Sequence, residues 1–339
     1  MVVREAGCEE RGLEGCAGDA RPGVVERVRA ENVEGAMKET WDDVVYFGSR
    51  AEVVETLAER LGAGGMLNVV LGGKRLGRAI SLPLGWIHYA QVRFVGTLGM
   101  NAAAGYEMIP ETGEVATGER VLIVGAGGPM GQMHVLRAVL SGKSLQVTAS
   151  EQDAGRSEAL AAKCVAVAER EGARLEVVEA GTWEGSYDYV VVLVTAPKAV
   201  TEAVASARRG ARINLFGGIP AQVRYRVDYD GLIEKECYVF GTSGSRVDDM
   251  EAVLAQIRTG RLDTNLSVDA VSGMAGAKEA MAALGANRWP GKIVVYPRLE
   301  KMELWSVGAL GEKYPTVRTA LARGSWTARA EAALLRIEG

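Results

Sequence analysis

From Trp41 onward, short apolar runs alternate with amphipathic stretches along the chain. WDDVVYFG has the character of a strand, AEVVETLAERLGAGG has apolar residues at helical spacing and ends in glycines, and MLNVVLGG is again strand-like. A second series of the same kind begins at Tyr187 with YDYVVVLV, APKAVTEAVASARRG and ARINLFGG. Strands that alternate with helices in this way predict an α/β protein with a parallel sheet.

The two series match position by position, which indicates an internal repeat. Sliding one onto the other brings Trp41 onto Tyr187 and Gly72 onto Gly218 with almost no gaps. We name them copy one and copy two; chance similarity between two αβ units is the alternative explanation. Copy two is preceded by a strand, a glycine loop and a helix, whereas no glycine loop is visible in residues 1–40. Copy one is therefore predicted to be the C-terminal half of a Rossmann-like unit.

The glycine loop that precedes copy two follows an apolar run typical of a strand that is buried on both faces. In ERVLIVGAGGPMG, bare backbone permits a tight turn, close approach of a pyrophosphate and tight helix–strand packing, while the helix N-terminus attracts phosphate. The predicted cofactor-binding residues of this loop are Gly125, Gly127, Gly128, Pro129, Met130 and Gly131. The spacing is G-x-x-G-x-x-G rather than the strict dinucleotide form, and an ordinary glycine-rich turn is the alternative interpretation.

The next predicted strand ends at Glu151, where a dinucleotide-binding unit carries an acid for the adenosine ribose. A carboxylate there would repel the extra phosphate of NADP, so Glu151 favours NAD over NADP. Asp153 lies close by, and we interpret it as the cap of the following helix. A solvated acid at the end of a strand is the alternative interpretation of Glu151.

Two further loops are expected to close the cofactor pocket, because ligands bind at the carboxyl ends of parallel strands. Thr195 follows the strand YVVVLV, and Phe216, Gly217 and Gly218 end the strand INLFGG. Both loops are predicted to face the nicotinamide half of the cofactor, although each could be an ordinary turn.

The whole pattern predicts an α/β, Rossmann-like doubly wound parallel sheet, preceded by the partial repeat. We expect a loose leader over residues 1–24, the half domain over 25–105, the complete NAD-binding domain over 106–298, and a helical tail over 299–339.

Three segments resemble the medium-chain dehydrogenase/reductase superfamily: GERVLIVGAGGPMGQMHVLRA, RGARINLFGGIP and AKEAMAALGANRWPGKIVVYP. The resemblance is to zinc-type alcohol and polyol dehydrogenases, such as sorbitol dehydrogenase and L-sorbose 1-phosphate reductase. It covers residues 102–297 well and copy one weakly. It implies an NAD-dependent oxidoreductase that transfers hydride between NAD(H) and a small-molecule alcohol, polyol or carbonyl.

The sequence departs from that family where the chemistry is done. The family carries an N-terminal catalytic domain of GroES-like fold and a Cys/His/Glu zinc set, and this chain has no G-H-E segment in the corresponding place. Two histidines and four scattered cysteines give little material for three zinc ligands. No zinc is expected, the catalytic residues stay unassigned, and the catalytic domain is expected to be lacking.

Composition and charge limit the partners. A net charge of −4 without a basic stripe argues against nucleic acid, and no apolar run approaches the roughly 18 residues of a membrane span. With no signal peptide, the cytoplasm is expected, and assembly into a homo-oligomer is left open. Two alternative functions are a non-catalytic or truncated NAD-binding module and, ranked low, a methyltransferase that uses S-adenosylmethionine. The strand VLIV lacks the acid typical of the latter.

Overall fold

The α/β, Rossmann-like class predicted above is confirmed by a computed structural model, which describes residues 1–11, 26–33, 40–220 and 222–338. The strands are β1 Val2–Arg4, β2 Arg27–Arg29, β3 Trp41–Phe47, β4 Leu61–Val70, β5 Ile80–Leu82, β6 Arg93–Thr97, β7 Arg120–Val124, β8 Gln146–Glu151, β9 Arg174–Glu179, β10 Tyr187–Val192, β11 Ala207–Leu215, β12 Tyr225–Val227, β13 Tyr238–Gly241, β14 Val268–Ser272, β15 Lys292–Val295 and β16 Trp305–Ser306. The helices are α1 Ala51–Ala58, α2 Leu84–Ala90, α3 Ala103–Tyr106, α4 Pro129–Val139, α5 Ala154–Arg170, α6 Pro197–Ala205, α7 Tyr229–Glu234, α8 Val247–Arg258, α9 Ala277–Gly285, α10 Val307–Lys313, α11 Pro315–Ala320 and α12 Ala328–Glu338.

The chain forms two compact units that do not follow one another along the sequence. Unit one comprises Met1–Val124 and Gly181–Gly244, and unit two comprises Gly125–Ala180 and Ser245–Gly339. The chain therefore leaves unit one directly before the glycine loop and returns to it before copy two.

Unit one is built on a largely parallel sheet. Its strands lie in the order β2-β1-β3-β4-β6-β13-β11-β10-β7, and the pair β6–β13 is antiparallel while the other neighbours are parallel. Val44, Leu122 and Ile213 are fully shielded from solvent on β3, β7 and β11. Near-continuous apolar runs of this kind are what strands covered on both faces require.

The internal repeat is confirmed element by element. The series β3-α1-β4-β5-α2-β6 of copy one recurs as β10-α6-β11-β12-α7-β13 in copy two. Gly96 of copy one matches Gly241 of copy two in sequence, so Phe94 matches Val239, and these two residues pair with each other across β6 and β13. The short strands β5 and β12 also pair antiparallel. The two copies are therefore related by an approximate two-fold axis through these strand pairs.

Copy one also possesses two strands ahead of β3. Strand β1 lies parallel to β3, as β7 lies parallel to β10, and β2 lies parallel to β1. The segment 1–24, interpreted as a leader, thus contains strand β1, while residues 12–25 lie outside the described part of the chain. A strand of three residues is too short to show a period of two, which is why the sequence pattern did not reveal it.

Unit two contains the glycine loop, a parallel pair and a small C-terminal sheet. Strands β8 and β9 pair in parallel, and β14 lies between β15 and β16. The end of the chain is helical over α10, α11 and α12, with Trp326 buried against an apolar cluster that includes Leu310, Val317 and Leu334. No helix within the described ranges has the length and apolar character needed to cross a membrane.

Candidate cofactor site

Two glycines of the loop are required by its own backbone. Gly125 has a φ of +86°, a conformation that favours glycine, and its N–H donates to the carbonyl of Ser150 over 2.9 Å. A side chain at Gly131 would collide with the carbonyl of Gly125 and would place a Cβ 2.5 Å from the carbonyl carbon of Ala126. The loop can turn tightly onto helix α4 only because both positions lack a side chain.

The third glycine, Gly127, is held by Glu151. The Glu151 carboxylate is buried, with 8% of the residue exposed, and its Oε2 accepts a hydrogen bond of 2.8 Å from the Gly127 N–H. Its Oε1 accepts from the N–H groups of Gln152 at 2.9 Å and Asp153 at 3.0 Å. A carboxylate offers about four lone-pair sites, so three such bonds leave room for one more donor. Glu151 therefore braces the loop, and its contact with a ribose stays a prediction.

Gly128 differs from its neighbours because it faces open space. A Cβ built on it would meet no atom of the described chain within 4 Å. Gly128 is the N-cap of α4, Pro129 occupies the first turn, and among the described residues no side chain caps this helix. Met130 is exposed beside it. Uncapped N–H groups with a partial positive charge and free space before them form a favourable place for an anion.

A buried polar network behind the loop was not predicted from the sequence. Gln132 is fully buried, donates from Nε2 to the Gly127 carbonyl over 3.1 Å and accepts at Oε1 from Lys163 over 3.2 Å. Lys163 also forms an ion pair with Asp269, which accepts a hydrogen bond from the Gly291 N–H. Lys163 and Asp269 lie far from Gln132 along the chain, so no local pattern reveals this part of the network.

The predicted cap at Asp153 is confirmed. Its Oδ1 accepts a hydrogen bond of 2.8 Å from the Arg156 N–H at the start of α5. This bond satisfies one of the free N–H groups at the helix terminus. Asp153 is thus committed to the helix, which leaves Glu151, the last residue of β8, as the acid that contacts the glycine loop.

Thr195 and the segment Phe216–Gly218 come together in unit one, whereas the glycine loop and Glu151 belong to unit two. The N–H groups of Phe216 and Gly217 both donate to the Val192 carbonyl at the end of β10, over 2.9 and 2.8 Å. A Cβ at Gly217 would lie 2.7 Å from the Val194 carbonyl oxygen, so the two loops touch closely. Their assignment to the nicotinamide half stays a prediction.

The Thr195 loop is also hydrogen-bonded to strand β12 of copy two. The carbonyl of Thr195 accepts a hydrogen bond from the phenol of Tyr225 on β12. A Cβ on Gly218 would lie 3.7 Å from the hydroxyl of Tyr89, which belongs to α2 of copy one. The two predicted loops therefore share one edge of unit one with a helix of the other copy.

At the N-terminus of α1, the helix of copy one that matches α6 of copy two, a carboxylate of the chain itself accepts the backbone hydrogen bonds. The Glu5 carboxylate accepts hydrogen bonds from the N–H groups of Ser49 at 3.1 Å and Arg50 at 2.9 Å, and from the phenol of Tyr46. A protein carboxylate thus takes the position that an anion would use at the N-terminus of α1. We therefore assign no anion to the N-terminus of α1.

The described ranges contain no group of three or more His, Cys, Asp and Glu side chains that could hold a metal ion. Cys164 and Cys237 are buried, and burial raises the pKa of each thiol to about 11. Both thiols are therefore protonated near neutral pH and poorly suited to nucleophilic chemistry.

No protein-family model matches this sequence, and no curated protein matches it either. Several solved structures are similar over part of their length. A short chain alcohol dehydrogenase from E. coli CFT073, complexed with NADH, has a TM-score of 0.42 at 19% identity over 56% of this chain and 53% of its own. L-Idonate 5-dehydrogenase from Escherichia coli K-12 gives 0.43 at 17% identity over 53% and 51%. 2R,3R-Butanediol dehydrogenase from Bacillus subtilis gives 0.45 at 17% identity over 54% and 52%. This chain thus spans about half the length of each.

Proposed function

We propose that this protein is an NAD(H)-dependent oxidoreductase that transfers hydride between the cofactor and an alcohol, polyol or carbonyl compound. The observation that carries the proposal is the open space at Gly128, at the uncapped N-terminus of α4, in a loop where Gly127 and Gly131 are tightly packed. A loop with open space before Gly128 suits a pyrophosphate, which needs bare backbone and free N–H groups. The sequence resemblance supplies the reaction class.

The adenosine side and the nicotinamide side rest on different residues. Glu151 braces the loop through Gly127 and has capacity for one more hydrogen bond, which supports a ribose hydroxyl as its further partner. We propose Thr195 and the Phe216–Gly218 segment for the nicotinamide side, because they end parallel strands of copy two. The cofactor would supply the hydride chemistry, and the protein would bind and orient it.

Titration of the purified chain with NADH, followed by the fluorescence of the nicotinamide, tests the proposal directly. We expect saturable binding and oxidation or reduction of at least one member of a panel of alcohols, polyols and their carbonyl products. Tight NADH binding without any turnover would favour a non-catalytic NAD-binding module. Binding of S-adenosylmethionine in place of NADH would overturn the proposal in favour of a methyltransferase.

The variant Glu151→Gln is expected to weaken the preference for NADH over NADPH by about tenfold, because it removes one negative charge facing a 2′-phosphate at equal side-chain size. The ratio of the two dissociation constants is the measurement. Asp153→Asn is the matched control, since Asp153 caps α5 and should leave that ratio unchanged. An equal effect of both variants, or no effect of either, would show that another group discriminates between the cofactors.

A further inference from the structure

Helix α2 of copy one reaches the carboxyl ends of two strands of copy two, all within unit one. A Cβ on Gly241, the last residue of β13, would collide with the Ile87 carbonyl and lie 2.8 Å from the Cα of His88. Only a glycine lets the helix approach so closely. The carboxyl edge of a parallel sheet is where α/β proteins bind their ligands, and here the other copy covers it.

His88 projects from α2 into this edge. Only 8% of the residue is exposed, and its ring meets Phe216 edge-on at a centroid distance of 5.7 Å. Within the described part of the chain, the buried Nδ1 atom finds no hydrogen-bond partner. A buried polar atom without a partner destabilises the folded protein, so such atoms call for an explanation, such as a ligand. Phe216 is one of the residues proposed for the nicotinamide side.

The repeat does not require a histidine at this position. The residue of copy two that matches His88 is Glu234, which lies half-exposed on α7 and forms an ion pair of 2.9 Å with Arg75. The same place in the fold is thus filled by a solvated, paired acid in copy two. The imidazole of copy one is a departure from the repeat, and it occurs on the side that faces the loops of copy two.

We propose that His88 is the group that exchanges the substrate's hydroxyl proton in the reaction, an inference that rests on the proposed function. In the oxidation direction, the C–H bond of the alcohol breaks and its electron pair passes as hydride to the oxidised nicotinamide. The O–H bond breaks, the carbonyl forms, and the proton passes to Nδ1 of His88, the ring nitrogen without a hydrogen-bond partner in the described chain. The reverse steps return that proton when a carbonyl is reduced.

The state of the imidazole fits this role. Burial lowers the pKa of the His88 imidazole below its usual value. The neutral ring, which accepts a proton, therefore prevails near neutral pH. Copy one would in this way supply a proton acceptor to the cofactor side of copy two.

The test uses the two histidines of the full chain, which give two imidazole signals in long-range ¹H–¹⁵N spectra. The His134→Asn variant assigns the signals. We expect NADH to shift the His88 signal, and ADP-ribose, which lacks the nicotinamide, to bind without shifting it. A His88 signal that responds to neither ligand, or equally to both, would overturn the inference while leaving NADH binding intact. Failure of the unmodified chain to bind NADH would instead overturn the proposed function, and this inference with it.

A second test of the inference measures turnover. His88→Ala is expected to retain NADH affinity, lose at least about a hundredfold in kcat, and recover part of it when free imidazole is added. His88→Asn preserves bulk and polarity and should lose activity similarly if the alanine variant folds poorly. Glu234→Gln, the matching position of copy two, should behave as the unmodified chain. Unchanged kcat in both His88 variants, or the absence of turnover in the NADH-binding unmodified chain, would refute the role.

Discussion

The Gly128→Val variant is expected to lose at least about a hundredfold in NADH affinity while keeping the unfolding temperature of the unmodified chain. The two properties separate because a Cβ at Gly128 meets no described atom within 4 Å, so the protein itself has room for the side chain. A pyrophosphate bound as proposed would have no such room, because the valine methyl groups would stand before the N–H groups of α4. Loss of two charge-assisted hydrogen bonds, each worth about 1.5–3 kcal/mol, accounts for that magnitude.

Two further variants make this result specific. Gly285→Val adds the same side chain at another glycine with open surroundings, at the end of α9, and should change neither NADH affinity nor unfolding temperature appreciably. Gly131→Val should reduce both, because its Cβ would collide with the carbonyl of Gly125. Fluorescence titration and thermal unfolding are measured on each variant. Unchanged NADH affinity in folded Gly128→Val would place the phosphates elsewhere.

The fold of unit one could largely be predicted because its information is repeated and local. The main strands of copy two are recognisable as apolar runs, and the match of Gly72 to Gly218 extends the same interpretation to copy one. The pairing of β6 with β13 could not be predicted, since strand order depends on long-range packing that leaves no period in the sequence. The division of the chain into two interleaved units also depends on long-range packing and could not be predicted from the sequence.

The residues of the candidate site also differ in whether the sequence alone can predict their roles. The roles of Gly125 and Gly131 follow from local geometry, and a short sequence window contains everything that determines them. His88 could not be recognised, because its sequence context is an ordinary helix and its significance comes from the approach of α2 to β13. Gln132 is similar, since its hydrogen bond to Gly127 is local but its acceptance from Lys163 is not.

The Asp269→Ala variant is expected to lower the free energy of unfolding by about 3–5 kcal/mol, which is the usual cost of breaking a buried ion pair from one side. Lys163 and Asp269 expose only 16% and 12% of their side chains, so the remaining ammonium would stay buried with Gln132 as its other partner in the network. Because Gln132 also holds the Gly127 carbonyl, NADH affinity should fall together with stability.

A double-mutant cycle in urea shows whether the cost arises from the unpaired charge. Lys163→Met should destabilise similarly, and Lys163→Met with Asp269→Ala should cost clearly less than the two single changes added together, since no buried charge is left unpaired. Arg288→Ala is the matched control in unit two: it removes an exposed pair with Glu279, more than half of each side chain being in solvent, and should change the free energy by no more than about 1 kcal/mol. Strict additivity in the cycle would mean that Lys163 and Asp269 act independently, and the position of the loop would then not depend on their ion pair.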